Sequence, residues 1–267
     1  MMNSITSRNH EVIKRFRKLR RRSYRDEFGL FMVEGLNLIQ EGLDAGARLK
    51  EIACVGARVE DITCIRDRMN EPVLAHEVSE SLMNLISDVV TSQGIIGIME
   101  QVSVSYDELI SSDLSLLLVA DQVRDPGNLG ALLRIADAAG VDGFIMTAGC
   151  VDLYNPKVVR SAAGSHFHVP VARDVEIGAF RRDLSDRVRM LGLEPRGNKR
   201  YLDEDFTRPI ALVVGNEAFG IAEENRMFLD ETVCVQMPGK AESLNVASAA
   251  AVVLFEALRQ RQGNGGG

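Results

Sequence analysis

Residues 121–134 read DQVRDPGNLGALLR, and the apolar run Leu116 to Ala120 leads into them. An apolar run feeding a turn of Pro, Gly and Asn, followed by an amphipathic segment, is how a strand–turn–helix unit opens. The glycines are Gly127 and Gly130, so the turn is not the G-x-G-x-x-G of a dinucleotide fold, and the helix runs on into Arg134. Pro126 fixes φ, Gly127 permits a sharp turn, and Gly130 admits a close approach of backbone or ligand. Asn128 is placed to cap the helix. Arg134 stands among Leu132, Leu133, Ile135 and Ala136, where a cation must reach outward or meet an anion.

The same alternation continues to the C-terminus. Strands are predicted at 114–120, 143–147, 167–171, 190–194, 211–215 and 232–237. Helices are predicted at 129–140, 155–164 and 177–190, shortly after 215, and at 243–261. Strand–helix alternation implies a parallel sheet covered on both faces, with ligands bound outside the carboxyl ends of the strands. Two further loops follow strands in this way. VGNEAFG (214–220) holds Glu217 as its only ionisable group, and VQMPGKAESLNV (235–246) brings Ser243 and Asn245 to the start of an alanine-rich helix, where either can cap.

Upstream the chain reads as a smaller α/β domain. A basic helix begins near residue 8, followed by a strand at 31–35, a helix at 36–46 stopped by Gly46, strands near 51–56 and 73–75, a helix at 79–86 and a strand at 94–100. The polar stretch 101–113 is the connection. The predicted domains are therefore 1–105 and 113–262.

A chain of 267 residues with 46% hydrophobic residues suits one large or two modest globular domains. Cys54, Cys64, Cys150 and Cys234 are dispersed, with no C-x-x-C and no His at metal spacing. They predict no metal site and no disulfide framework, and are read as reduced and buried. No run approaches the ~18 apolar residues of a membrane span, and arginines occupy the N-terminus where a signal peptide needs an apolar core. The expectation is a cytoplasmic protein with a disordered Gly-rich tail at 263–267. The net charge of −7 hides an asymmetry, because residues 1–25 carry nine basic side chains against the single acid Glu11. A basic arm on an acidic body suits a phosphate-backbone binder, since Lys and Arg gain by releasing condensed counterions. Phe16 and Leu19, three apart, predict one docked face beneath a cationic outer face.

The three loops, in this order and at these separations, resemble the motifs of the SpoU (TrmH-like) branch of the SPOUT RNA methyltransferases: PGNLGALLR, GNEAFG and VQMPGKAESLNVASAAA. The intervening DLYNPKVVRSAAGSHFHVPV is similar to the same family. RKLRRRSYRDEFGLFMVEGLNLIQEGL resembles the ribosomal-protein-like substrate-binding domain that many members carry. The resemblance covers nearly the whole chain. It implies a small N-terminal α/β RNA-binding domain and a C-terminal parallel-sheet α/β domain with a deep trefoil knot. It further implies a homodimer, and transfer of a methyl group from S-adenosylmethionine, bound in bent form, to a ribose 2′-hydroxyl of RNA.

By matching position, Asn128, Arg134, Glu217, Ser243 and Asn245 carry the family's polar functional roles. Gly215, Val235 and Leu244 are implied to contact the cofactor, with Thr147 and Gly149 lining the same pocket. In the N-terminal arm, Arg17, Lys18, Arg20, Arg21, Arg22 and Arg25 are the candidate RNA contacts, with Phe16, Tyr24 and Phe28 as candidate stacking groups. The chain departs from the family pattern at Ala218 and Phe219, where Gly usually follows the glutamate. It departs again at Val235, Gln236 and Met237, where Ile-Pro-Met is usual and the proline has moved to Pro238. These changes alter loop shape and leave the polar residues intact.

The N-terminal resemblance favours large-subunit ribosomal RNA, with transfer RNA as the alternative. A non-catalytic RNA binder would not need all five polar positions. A dinucleotide-dependent oxidoreductase would carry an acid at the end of the second strand, where Thr147 stands.

The family reading makes the motif arginine a base, which is physically awkward. A guanidinium gives up its proton only far above neutral pH, so a neutral guanidine at pH ~7.5 costs roughly 7–9 kcal/mol, and a nearby phosphate raises that cost. Arg134 is therefore read chiefly as a phosphate clamp that polarises the hydroxyl.

Overall fold

The computed structural model describes residues 3–67, 69, 72–102, 104–184 and 187–263. The chain forms two compact units. One runs to Val102 and takes back Tyr154–Phe167, and the other holds the remainder.

The first unit contains β1 (Asn3–Ile5), α1 (Glu11–Lys18), α2 (Arg22–Phe28), β2 (Leu30–Glu34), α3 (Leu36–Asp44), β3 (Leu49–Cys54), α4 (Val59–Asp67), β4 (Leu74–Val78), α5 (Glu80–Ile86) and β5 (Ile95–Glu100). Its strands lie in the order β1-β4-β3-β5-β2, with β5 antiparallel to both neighbours. Strand β1 and helix α4 were not anticipated from the sequence; the three residues of β1 are too few to show a period. The basic segment folds as two short helices, α1 and α2. Phe16 and Leu19 are fully buried and pack with Leu82, Met83 and Ile86.

This break redirects one arginine. Arg25 is only 2% exposed, and its guanidinium donates to the carbonyl of Leu19, the C-cap of α1, at 2.7 Å. Arg25 is thus a structural plug for a helix end and not a surface cation. Phe16 is likewise core and cannot stack on a base.

The second unit contains α6 (Tyr106–Ile110), β6 (Leu116–Ala120), α7 (Pro126–Ala139) and β7 (Gly143–Thr147). Helix α8 (Pro156–Ala162) then lies in the segment that returns to the first unit. The second unit continues with β8 (Val171–Val175), α9 (Ile177–Leu184), β9 (Arg189–Leu193), β10 (Lys199–Arg200), β11 (Ile210–Val214), α10 (Glu223–Arg226), β12 (Glu231–Cys234) and α11 (Val246–Gly263).

Its seven strands run β10-β12-β9-β11-β6-β7-β8, all parallel. Every residue of β6, β7 and β11 is buried, as a sheet with both faces covered requires. Leu117, Val119, Ile145 and Val213 pack with Phe180 and Leu184 of α9. From β6 the chain builds outward to β7 and β8, then crosses to build the other side. The switch point between β6 and β11 is the place where such sheets open a crevice.

The strand expected at 167–171 begins only at Val171. The preceding segment is held by an aromatic cluster in which Phe31 lies 4.6 Å from Tyr154 and 6.0 Å from Phe167, centroid to centroid. The 101–113 connection holds the short helix α6. Residues 264–267 of the expected disordered tail lie outside the described residues.

All four cysteines are free thiols, but only Cys54 is fully buried and Cys64 is exposed. Burial pushes the thiols of Cys54 and Cys150 up to about 11. In native protein at pH 8, Ellman's reagent is therefore expected to label Cys64 fast. Cys54 and Cys150 should react slowly, gain rate as pH rises towards about 11, and match Cys64 only after unfolding. Equal rates for all three in the native state would contradict this burial.

Candidate functional site

Three loops at the carboxyl ends of the parallel strands meet around one open cleft of about 1070 Å³. The first is the start of α7. Asp125, not Asn128, is its N-cap, accepting the backbone N–H of Asn128 at 2.9 Å, with Pro126 in the first turn. Asn128 is thereby freed from capping, and its side chain turns to the neighbouring loops.

The second loop leaves β11 at Gly215. A Cβ there would lie 2.1 Å from the carbonyl carbon of Gly220 and 2.2 Å from the nitrogen of Ile221, so only glycine lets the loop close on its own neck. Asn216 and Gly220 exchange two backbone hydrogen bonds of 2.9 Å. The Asn216 side chain accepts the N–H groups of Ala218 (2.9 Å) and Phe219 (3.3 Å) and donates to the carbonyl of Gln122 at 2.9 Å. Asn216 was not singled out in the sequence. An Asn followed by a tight turn is the signal that could have found it.

Within this frame Glu217 accepts from the Asn128 side-chain amide at 2.9 Å and from the backbone N–H of Asp125 at 3.2 Å. The third loop completes the set. Asn245 caps α11, its Oδ1 accepting from Ala247 (3.0 Å) and Ser248 (3.3 Å), while its Nδ2 donates to Asn128 Oδ1 at 2.7 Å. Each amide orientation is then dictated by its neighbours. The carboxylate can only accept, so Asn128 must turn its NH₂ towards Glu217. The Asn245 oxygen is committed to the helix end, so its NH₂ must face Asn128. A negative side chain beside the first turn of α7 also complements the helix dipole.

Ser243, Val235 and Leu244 border the same cleft, as do Gly215, Glu217, Asn128 and Asn245. Thr147 and Gly149 do not line it. Thr147 is 5% exposed and turned inward, donating to Asp121 Oδ1 and accepting the N–H of Gln122, each at 3.0 Å. Gly149 packs on the Gln122 side chain, where a Cβ would lie 3.4 Å from its Cγ. Arg134 is exposed, six residues beyond Asn128 and so roughly 120° around the helix from it. It does not border this cleft and makes no hydrogen bond or ion pair among the described residues.

A second residue missed in the sequence is Asp121, fully buried at the end of β6. It accepts from Thr147, from the N–H of Ala222 (2.8 Å) and from Asn225 Nδ2 (2.9 Å). An acid directly after an apolar strand was its only signal. On the far wall, Arg226 grips Glu194 with contacts of 3.0 and 2.8 Å. Among the described residues no cluster of His, Cys, Asp and Glu could hold a metal ion, and no helix is long and apolar enough to cross a membrane.

In the first unit, Arg17, Lys18 and Arg21 are exposed, with Lys18 lying 5.5 Å over the ring of Tyr24. Arg20 is engaged by the carbonyl of Ser87 and by Asp88, and Arg22 by Asp26 at 3.3 Å. Phe28 remains 51% exposed, its ring 4.4 Å from that of Tyr24.

The family model described as SpoU rRNA Methylase matches residues 115–255, which take in all three loops, and one described as MRM3-like substrate binding domain matches 10–97. The chain belongs to the SpoU rRNA methylase family. It is 32% identical to the 23S rRNA (guanosine(2553)-2′-O)-methyltransferase RlmP of Bacillus subtilis (strain 168), over 95% of this chain and 98% of that protein. It is 30% identical to the 23S rRNA (uridine(2479)-2′-O)-methyltransferase of Streptomyces viridochromogenes, over 96% of this chain and 92% of that protein. Among solved structures, the SpoU methyltransferase AviRb of Streptomyces viridochromogenes, in complex with AdoMet, superposes with a TM-score of 0.85. That match has 28% identity and covers 95% of this chain and 99% of that one.

For this SpoU protein the neck of the second loop is the sharpest structural test. Gly215→Ala is expected to lower stability by about 1–3 kcal/mol, read as a lower urea midpoint, because the added methyl must push the Gly220–Ile221 backbone away. An unchanged midpoint would show that the loop closes with room to spare.

Proposed function

We propose that this protein is a cytoplasmic, homodimeric methyltransferase that transfers a methyl group from S-adenosylmethionine to a ribose 2′-hydroxyl of large-subunit ribosomal RNA. The observation that carries the reading is the Glu217–Asn128–Asn245 relay, which joins the three family motifs at one cleft. The two relatives named above differ in nucleotide and share the reaction, and it is the reaction that is carried over here.

The residues present fit the methyl donor. The cleft exceeds the ~300–1,000 Å³ typical of small-molecule sites. It offers the backbone of the 215–220 loop on one side and the apolar Val235, Met237 and Leu244 on another. When bound, S-adenosylmethionine supplies an electrophilic methyl on sulfur. The chain's own task is to hold the hydroxyl in line with it and to ease loss of the proton. Asn128 and Asn245 keep one amide hydrogen each outside the relay, and these are assigned to the ribose oxygens. Glu217 holds Asn128 in the required orientation, and Ser243 supports the same edge.

Arg134 stands outside the cleft of its own chain, so in this reading it reaches the site of a second copy, clamping the target phosphate and polarising the hydroxyl. Val252 and Phe255, 36% and 47% exposed and three apart on α11, support a docked partner there. In this reading the C-terminal segment that carries α11 is threaded as the deep trefoil knot that the family implies. The first unit is assigned to RNA binding through Arg17, Lys18 and Arg21, with Arg20 and Arg22 as secondary contacts.

Incubation with methyl-labelled S-adenosylmethionine and either a large-subunit rRNA transcript or, in parallel, transfer RNA tests the reaction. Label at a ribose 2′-oxygen is expected, and label only on bases or on transfer RNA would refute it. Loss of planar, two-point binding in Arg134→Lys should cost roughly 10–100-fold in single-turnover rate. A near-normal rate with normal RNA affinity would rule out the clamp. Mixing Arg134→Ala with Asn245→Ala subunits should recover part of the activity that each lacks alone, whereas no recovery would argue against a site shared between copies.

A further inference from the structure

The loop after β11 carries one side chain that the ribose chemistry leaves unused. Phe219 is 81% exposed and borders the same cleft as Asn128 and Asn245. Isolated exposed apolar residues are common and need no function, but this one sits on a braced loop. The backbone pair between Asn216 and Gly220 closes the loop, and the Asn216 carboxamide holds the N–H of Phe219 itself. The ring's attachment point is therefore fixed while its faces stay open to solvent. Such a ring loses little conformational freedom when a flat partner lies on it.

Two heteroaromatic rings would approach this cleft under the methyl-transfer reading, on which this inference rests: the adenine of the donor and the base of the target nucleotide. The donor already has the Gly215 neck and the apolar Val235, Met237 and Leu244. Phe219 instead lies two residues from Glu217, a span of at most about 7 Å. Glu217 orients Asn128, which is assigned to the ribose. A ring so close to the ribose handler is placed for the base of that same nucleotide. RNA bases presented to proteins in single strands are commonly held by aromatic stacking.

We propose that Phe219 stacks on the base of the target nucleotide and so fixes the splayed nucleoside with its 2′-hydroxyl against Asn128 and Asn245. Stacking tolerates any base, so the residue sets the pose and leaves sequence choice to other contacts.

The chain contains no tryptophan, so Phe219→Trp places a single indole reporter at the site. A large-subunit rRNA transcript is expected to quench it saturably, while S-adenosylmethionine alone leaves it unchanged. Quenching by S-adenosylmethionine alone would assign the ring to adenine and overturn the proposal, as would no response to RNA.

In steady state, Phe219→Ala should raise KM for the transcript roughly tenfold, with the calorimetric Kd for S-adenosylmethionine unaltered. Phe219→Leu, which keeps apolar bulk without a π face, should be as impaired, and Phe219→Trp should recover most of the loss. Full recovery by leucine would show a plain apolar contact and refute stacking. Because the side chain is exposed, none of these changes threatens folding. Wild-type transfer measured on the same transcript separates the two ways of failing. No transfer by wild type brings down the reaction reading and this inference with it, whereas transfer with a normal KM in Phe219→Ala defeats this inference alone.

Discussion

A carboxylate with no solvent exposure organises the catalytic unit. Asp121 lies at the end of the central strand β6, and removing its charge from water is costly unless hydrogen bonds replace hydration. Those bonds come from far along the chain: Thr147 at the end of β7, and Ala222 and Asn225 beyond β11. Satisfying one buried acid thus locks the carboxyl ends of three strands into one platform. The next residue, Gln122, is forced to a positive φ of 53°, and its carbonyl accepts from Asn216. The strain at β6 and the shape of the 215–220 loop belong to the same structural unit.

On that platform the three motifs become a single chemical object. Glu217, the only carboxylate among the five matching polar positions Asn128, Arg134, Glu217, Ser243 and Asn245, does not stand free as a base. It accepts from Asn128 and from the backbone at the start of α7, and so acts by fixing the direction of an amide. Asn245 divides its two ends between capping α11 and meeting Asn128. The relay therefore transmits the geometry of two helix N-termini to the site. Few of its polar atoms can rotate without breaking a partner's bond, and reaction by orientation depends on that rigidity.

The contrast between Arg25 and Arg134 shows how little a residue type reveals without its surroundings. Both stand in positions that read as exposed cations. Arg25 folds back to a helix-end carbonyl and is buried, because the basic segment breaks into two helices after Lys18. Arg134 stays exposed and does not border the cleft of its own chain. Segment 154–167 makes the same point at larger scale. Its sequence reads as part of the second domain, yet Tyr154 and Phe167 bring it to Phe31 in the first unit.

By itself the sequence determined the parallel α/β order, the three strand-following loops and the polar residues they carry. Each of these is written in short-range signals: apolar runs, turn residues, and caps within a few positions. Even there it left open whether Asn128 does no more than cap α7; Asp and Asn cap equally well, and it is the fold that gives the cap to Asp125. Tertiary structure alone decided that Asn128 meets partners 89 and 117 residues away, that Thr147 turns inward to a buried acid instead of lining the cleft, and that Gly215 is required by a returning backbone. Contacts of that kind depend on how distant segments satisfy each other's hydrogen bonds and volume, and no local pattern encodes them.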